Sequence, residues 1–285
     1  MLAAPVAVAE PTEPNEPPAA TVIPDLGTIR YHDPSRRREV WLGFDGGGVA
    51  LPASVTGIGR RIWSAYAAPT WAVALTRRFA IGGRHKVSWY DARNIRLRVH
   101  GHELFVSGRM MKHRPRMRDR PEVGFEVHDV KLSVVDGVDF RLGGIRDAVL
   151  HFGYGLEHDL TDRLQLGWRA GVRQVWVFKN TQRQARVAAR LAYLPWDRHR
   201  FSLEGVGFYV NRDHDQAGEP APRNSVHAQT VAEYSWLSRA GVGVMAGARY
   251  ATSFLSGETP IYEIRPESVR RSYGEVFAGL RVVWE

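Results

Sequence analysis

From about residue 37 the chain alternates apolar and polar positions with a period of two, and helical periodicity is nearly absent. In the segment 148–158, Ala148, Leu150, Phe152, Tyr154 and Leu156 form one face. Asp147, His151, Gly153, Gly155 and Glu157 form most of the other, with Val149 the apolar exception. The next run sets Leu164, Leu166, Trp168, Ala170 and Val172 against Gln165, Gly167, Arg169, Gly171 and Arg173. Ala185, Val187, Ala189, Leu191 and Tyr193 then alternate with Gln184, Arg186, Ala188, Arg190 and Ala192. Phe201 and Leu203 open a further strand that ends near Asn211, and its pattern slips at Glu204-Gly205, which reads as a bulge. Strands at 226–236, 242–250 and 275–284 complete the second half, the last with Val276, Ala278, Leu280, Val282 and Trp284 on one face.

The first half is less regular. Strands are expected at about 37–46, 71–81, 84–91, 95–108 and 122–135. The stretch 47–70 contains Pro52 and Pro69, follows the run Gly46-Gly47-Gly48, and reads as a long loop. The total is about 12 antiparallel strands, with 10 or 8 as alternatives. An even count puts both ends of the barrel on one side, together with the segment 109–121.

Each strand offers four to six apolar residues on one face, which suits a segment of about 9–11 residues crossing a bilayer at a tilt. Tyr154, Tyr193, Tyr209, Tyr234, Trp236, Tyr250 and Trp284 stand at strand ends, as in interfacial girdles. Connections at 158–162, 196–199 and 237–239 are short, and those at 212–225 and 255–270 are long, although 179–183 is short. On these features the region 36–285 resembles the Gram-negative outer-membrane β-barrel proteins. The resemblance is to an architecture and to no particular member. It implies a transmembrane antiparallel barrel in the bacterial outer membrane and contact with outer-membrane lipid and lipopolysaccharide. It also implies insertion by the barrel-assembly machinery. Members usually end on an aromatic residue, whereas here Trp284 is penultimate and Glu285 last. The competing architecture is a soluble basic β-protein with the apolar faces turned inward, binding a polyanion. The many glycines on the polar faces favour the membrane arrangement.

The segment 1–35 is built differently. It carries Pro5, Pro11, Pro14, Pro17 and Pro18, and five acidic residues against Arg30 alone. Ala7-Val8-Ala9 resembles a small-x-small cleavage site, so this segment reads as a signal-peptide remnant followed by a disordered Pro-rich periplasmic linker.

Composition removes several chemistries. The absence of cysteine excludes thiolate metal sites, disulfides and cysteine nucleophiles. The longest apolar runs are far short of a membrane helix. The net charge of +9 is carried largely by arginine inside the alternating stretches. Apolar faces turned to lipid leave Arg169, Arg173, Arg186, Arg190, Arg249 and Arg281 in the lumen, with Glu157, Glu204, Glu233 and Glu275, and with His151 and His227. Charges so confined must pair or be hydrated. They either fill a closed barrel or line a wet one that favours small anionic solutes. One dense basic loop, Arg109, Lys112, Arg114, Arg116, Arg118 and Arg120, stands apart. It lacks the interleaved aromatics of a base-stacking platform, so no nucleic-acid partner is assigned.

Catalytic motifs are weak. A lipid-hydrolysing barrel needs a serine and a histidine on one face, and the spacing His-x-Ser does not occur. His85 with Ser88 and His199 with Ser202 are three apart and fall on opposite strand faces. His100 and His102 share a face, and Asp213-His214-Asp215 sits in an expected loop, but neither completes a ligand set. The sequence assigns no catalytic residue, no metal and no cofactor. It points to a passive channel-like or structural surface barrel, with a barrel enzyme acting on membrane lipid or lipopolysaccharide as the other class.

Overall fold

A computed structural model of the chain describes residues 40–51, 62–76, 78–92, 95–110, 116–134, 142–177, 180–196, 198–212, 224–251 and 273–284. The expected signal remnant and linker at 1–35 lie outside them, as does the Asp213-His214-Asp215 loop. Twelve strands close into a barrel in which each pairs antiparallel with its neighbours in sequence, and the first pairs with the last. They are β1 (Val40–Leu51), β2 (Ile62–Ala74), β3 (Phe79–Ala92), β4 (Ile95–Gly108), β5 (Met117–Val134) and β6 (Leu142–Asp159). The second half comprises β7 (Leu164–Val177), β8 (Asn180–Tyr193), β9 (His199–Arg212), β10 (Asn224–Leu237), β11 (Val242–Ala251) and β12 (Tyr273–Trp284). Closure leaves no unpaired strand edge, the condition for β structure in a bilayer.

The faces are sorted inside out relative to a soluble barrel. Phe152, Trp168 and Leu203 point outward and are 52%, 53% and 56% exposed, whereas Arg281 and Asp45 point inward and are 2% exposed. This overturns the soluble polyanion-binding architecture. Outward aromatics form two girdles. Trp63, Trp89, Trp176, Tyr209 and Tyr250 lie toward one end, and Phe79, Trp168, Tyr193 and Phe201 toward the other. The connections 75–78, 109–116, 160–163, 194–198 and 238–241 all lie at the end that holds both barrel termini. The tight ones are built by side chains. Thr76 Oγ1 accepts from the backbone N–H groups of Arg78 and Phe79, at 3.1 and 3.0 Å.

Strands β6 to β12 stand where the alternation puts them, except that β6 starts at Leu142 and β8 at Asn180, so most of the expected 179–183 connection is strand. The first half differs. The run Gly46-Gly47-Gly48 belongs to β1 and Pro69 to β2, so much of the expected 47–70 loop is strand. A Cβ on Gly47 would lie 2.7 Å from Cε1 of Tyr66, so the glycine leaves room for an inward ring. Proline lacks a ladder donor, and the β2–β3 ladder passes from Ala67 to Thr70 without pairing Ala68 or Pro69. The turn between the next two strands is at 75–78, not 81–84, because Gly82 and Gly83 lie within β3. Strand β5 begins at Met117, several residues earlier than expected. No bulge occurs at Glu204-Gly205, where β9 runs in register with both neighbours. Its pattern slips because Val206, Phe208 and Val210 face the lumen and are buried. The one register shift in these ladders falls between Val130 and Leu132 of β5.

Candidate functional site: the lumen

Alternation sends every second residue of each strand inward, and the packed inner side chains form arcs around the wall. Tyr66 and Ala68 of β2 cluster with Val231, Met245 and Phe277 across the barrel seam. Trp41, Ala72 and Phe105 form a second apolar arc. Ala188, Val206 and Phe208 form a third. Val149 and Val175 form a fourth. Between these arcs the wall is largely polar.

Near the terminal end, Glu157 is the hub of an arginine set. It accepts a short hydrogen bond from Arg190, with Arg200 and Arg118 each 3.9 Å away. Arg118 also bonds Asp159 at 2.7 Å. Next along the wall, Glu204 lies between Arg169 and Arg186, at 3.8 and 3.6 Å, and the Arg186 guanidinium sits 5.3 Å over the Phe208 ring. At the seam Arg281 bonds Asp45 and lies 4.9 Å over the Trp41 ring. Arg249 and Glu275 pair at 3.1 Å. Buried ions in such a setting stand only because each has an opposite charge or a hydrogen-bond partner at hand.

The wall of β5 and β6 carries a different arrangement. His128 Nδ1 lies 2.6 Å from Asp147 Oδ1, and its Nε2 lies 3.5 Å from Glu126. His151 lies between Glu126 and Glu122, 3.4 Å from each. Arg173 joins at the middle by donating to Glu126 at 2.9 Å. Five side chains therefore run Asp147, His128, Glu126, His151, Glu122 in one continuous series. Glycines make it possible. A Cβ on Gly101 would lie 2.8 Å from the His128 ring, and one on Gly124 would collide with the His151 ring. His128, Glu126, His151, Glu122 and Arg173 border a cavity of about 70 Å³, also lined by Arg84, Lys86, Glu103 and Arg186. Such a volume admits a few waters or a small ion. Glu103, Glu126 and His151 bring ligand-type atoms within 4.8 Å of one another. Arg173 already neutralises Glu126 there, and Lys86 and Arg84 add positive charge, so the donor set does not favour a resident cation.

The ten charged residues assigned to the lumen by alternation, Arg169, Arg173, Arg186, Arg190, Arg249, Arg281, Glu157, Glu204, Glu233 and Glu275, all stand on inward positions, buried or half-buried. The basic loop does not stay together. Arg109 and Arg116 flank the connection, Lys112 and Arg114 lie outside the described residues, and Arg118 and Arg120 belong to β5 and point inward. Sequence reasoning placed Asp147 on the polar face beside His151 but missed Asp45, Glu103, Glu122, Glu126 and His128. The signal was present for three of them, since Glu122, Glu126 and His128 are the complement of the outward series Val123, Phe125, Val127. Among the serine–histidine pairs, His85 faces outward while Ser88 is buried inside, and His199 Nδ1 bonds the Tyr234 hydroxyl at 2.9 Å.

Protein-family models give no match to the sequence, and neither do curated protein sequences. Solved structures do match. The translocator domain of the autotransporter NalP from Neisseria meningitidis aligns over 86% of this chain and 87% of its own, at 10% identity and a TM-score of 0.53. The transport unit of the autotransporter AIDA-I from Escherichia coli aligns over 94% and 95%, at 10% identity and 0.54. An outer membrane channel from Pseudomonas putida F1 aligns over 90% of this chain and all of its own, at 6% identity and 0.55. At these identities the likeness speaks for architecture, and the architecture is that of the bacterial outer-membrane β-barrels.

Proposed function

We propose that the protein is a passive outer-membrane barrel whose lumen is closed to ordinary solutes by its own paired charges, serving as a surface or anchoring element. The observation that carries this reading is the filling of the lumen. Opposed ion pairs and apolar arcs line the wall, and the cavity beside the histidine–carboxylate series measures about 70 Å³. Two of the similar solved structures are parts of autotransporters and a third is a channel, so barrels of this architecture serve more than one task. On this reading the partners of the outer surface are membrane lipid and lipopolysaccharide. Delivery falls to the barrel-assembly machinery, with Trp284 at the end of β12 as the aromatic it reads.

Liposome swelling tests the reading. Vesicles carrying the refolded barrel are expected to exclude arabinose and larger sugars at rates indistinguishable from empty vesicles. Sugar entry at a porin-like rate would overturn it. A second reading, a narrow path for small anions, draws on the cavity's cationic residues Arg84, Lys86, Arg173 and Arg186. In planar bilayers that path would show as anion-selective conductance, reduced in Lys86→Ala.

A further inference from the structure

The outer face of the barrel carries histidines where an apolar belt would otherwise continue. His85 of β3 and His102 of β4 are direct cross-strand partners. Their Nδ1 atoms are 3.1 Å apart and their ring centroids 4.4 Å. His100 follows two residues along β4 on the same face, with its ring 5.8 Å from that of His85. Two imidazoles thus meet on one outward patch, and a third stands on the same face of β4 with its ring farther off.

The surroundings fix its level. Toward the terminal end the outward neighbours are Ile81, Leu104 and Val106. Toward the opposite end the outward face of β4 passes to Arg98, and β5 places Asp129 opposite His100 in register. The girdle residue Trp89 stands on β3 directly across from Arg98. The patch therefore lies where the belt gives way to polar positions, within reach of ions from the aqueous side.

We propose that His85, His100 and His102 form a binding site for a divalent transition-metal ion of the zinc class, with an open fourth coordination position. The donor type suits this class, since neutral imidazole binds zinc, copper and nickel. Geometry agrees. Two imidazole nitrogens on a tetrahedral zinc, each at about 2.0–2.1 Å, are separated by roughly 3.3 Å, and His85 and His102 already stand 3.1 Å apart. Without an ion, two facing Nδ1 atoms must share a single proton. A cation that accepts both lone pairs replaces that proton, and a turn of the His100 side chain toward it would add the third ring. Asp129, across from His100, is placed to orient that ring as a carboxylate partner. The inner cluster lacks this character, because arginine and lysine already supply its positive charge.

The test uses the untagged, full-length chain refolded in detergent, titrated with zinc against a chelating reporter dye and then with cobalt for its visible spectrum. About one zinc per barrel is expected, and cobalt should give the intense absorption of tetrahedral coordination. His85→Ala and His102→Ala should each weaken binding by at least roughly ten- to a hundredfold, the range of outer-shell losses. Asp129→Asn should have a smaller effect. Each variant is checked for heat-modifiable gel mobility, which reports an intact barrel. Glu126→Gln is the inner control and should leave zinc binding unchanged. Loss of binding in Glu126→Gln, binding unchanged in the His85→Ala/His102→Ala double variant, or no stoichiometric binding by the folded parent would each overturn the proposal. All of these outcomes are independent of whether the lumen conducts.

Discussion

The wall built by β3 to β6 carries histidines on both faces, and the two sets are held in opposite ways. Inside, His128 and His151 are spaced by carboxylates, so that each imidazole has acceptors on two sides and none meets another. Outside, His85 and His102 meet each other directly. The inner rings also need glycines opposite them to fit, whereas the outer rings project from the surface. The same side chain is therefore a structural element on one face and an available ligand on the other. What differs is the medium and the company: a confined, charged lumen, or the rim of an apolar belt.

If the inner series is structural, the largest effect comes from removing its buried anion. Asp147→Ala leaves His128 buried without its 2.6 Å partner. Breaking a buried pair from one side costs about 3–5 kcal/mol. Urea unfolding in detergent micelles should show a loss of this size. Asp129→Ala, on the outer face of the neighbouring residue pair, should cost less than about 1 kcal/mol. Equal losses would erase the distinction between the two faces.

The glycines sharpen the same contrast through space instead of charge. Gly124→Ala drives a methyl group into the His151 ring, and overpacking of this kind costs about 1–3 kcal/mol. Gly205, on the outward face of β9, has open space where a Cβ would go. Gly205→Ala should stay within about 0.5 kcal/mol of the parent. Equilibrium unfolding of the two variants side by side is the check. A costly Gly205→Ala would show that backbone freedom, and not the lumen's contents, sets the need for glycine.

How much of this was legible in the sequence follows from how each strand spends its residues. Strands β6 to β12 mostly separate apolar from polar cleanly, so their positions and faces can be read directly. The early strands conceal themselves. Gly47, Gly82 and Gly101 look like turn residues because they have no side chain to declare a face, yet each opposes a large inward ring: Tyr66, Phe105 and His128. Pro69 looks like a break, and the ladder tolerates it by skipping a pairing. Strand β9 hides in another manner, since its lumen positions include Val206 and Phe208, which packing and the Arg186 guanidinium make useful. Inward charge was legible strand by strand, but pairing was not. Asp45 meets Arg281 only because closure brings the first strand beside the last. The outer histidines were half legible. His100 and His102 announce a shared face, but the third ring depends on the β3–β4 register, which places His85 opposite His102.

The smallest expected effect is also the most discriminating for the outer set. In the presence of a chelator, His85→Leu should leave the barrel as stable as the parent or more stable by up to about 1 kcal/mol. The argument is one of medium. His85 contributes no contact to the lumen, and its outward neighbours Ile81 and Val87 are apolar, so a leucine there continues a face that already meets hydrocarbon. The substitution also relieves His102 of a facing imidazole, which removes the requirement for a shared proton. Adding zinc should reverse the ranking, because an ion that binds only the folded parent stabilises it by mass action while the leucine variant gains nothing. Unfolding curves for both proteins, each with chelator and with zinc, give the four values needed. A leucine variant that is markedly destabilised in chelator would mean that the outer rings, like the inner ones, are part of what holds the wall together.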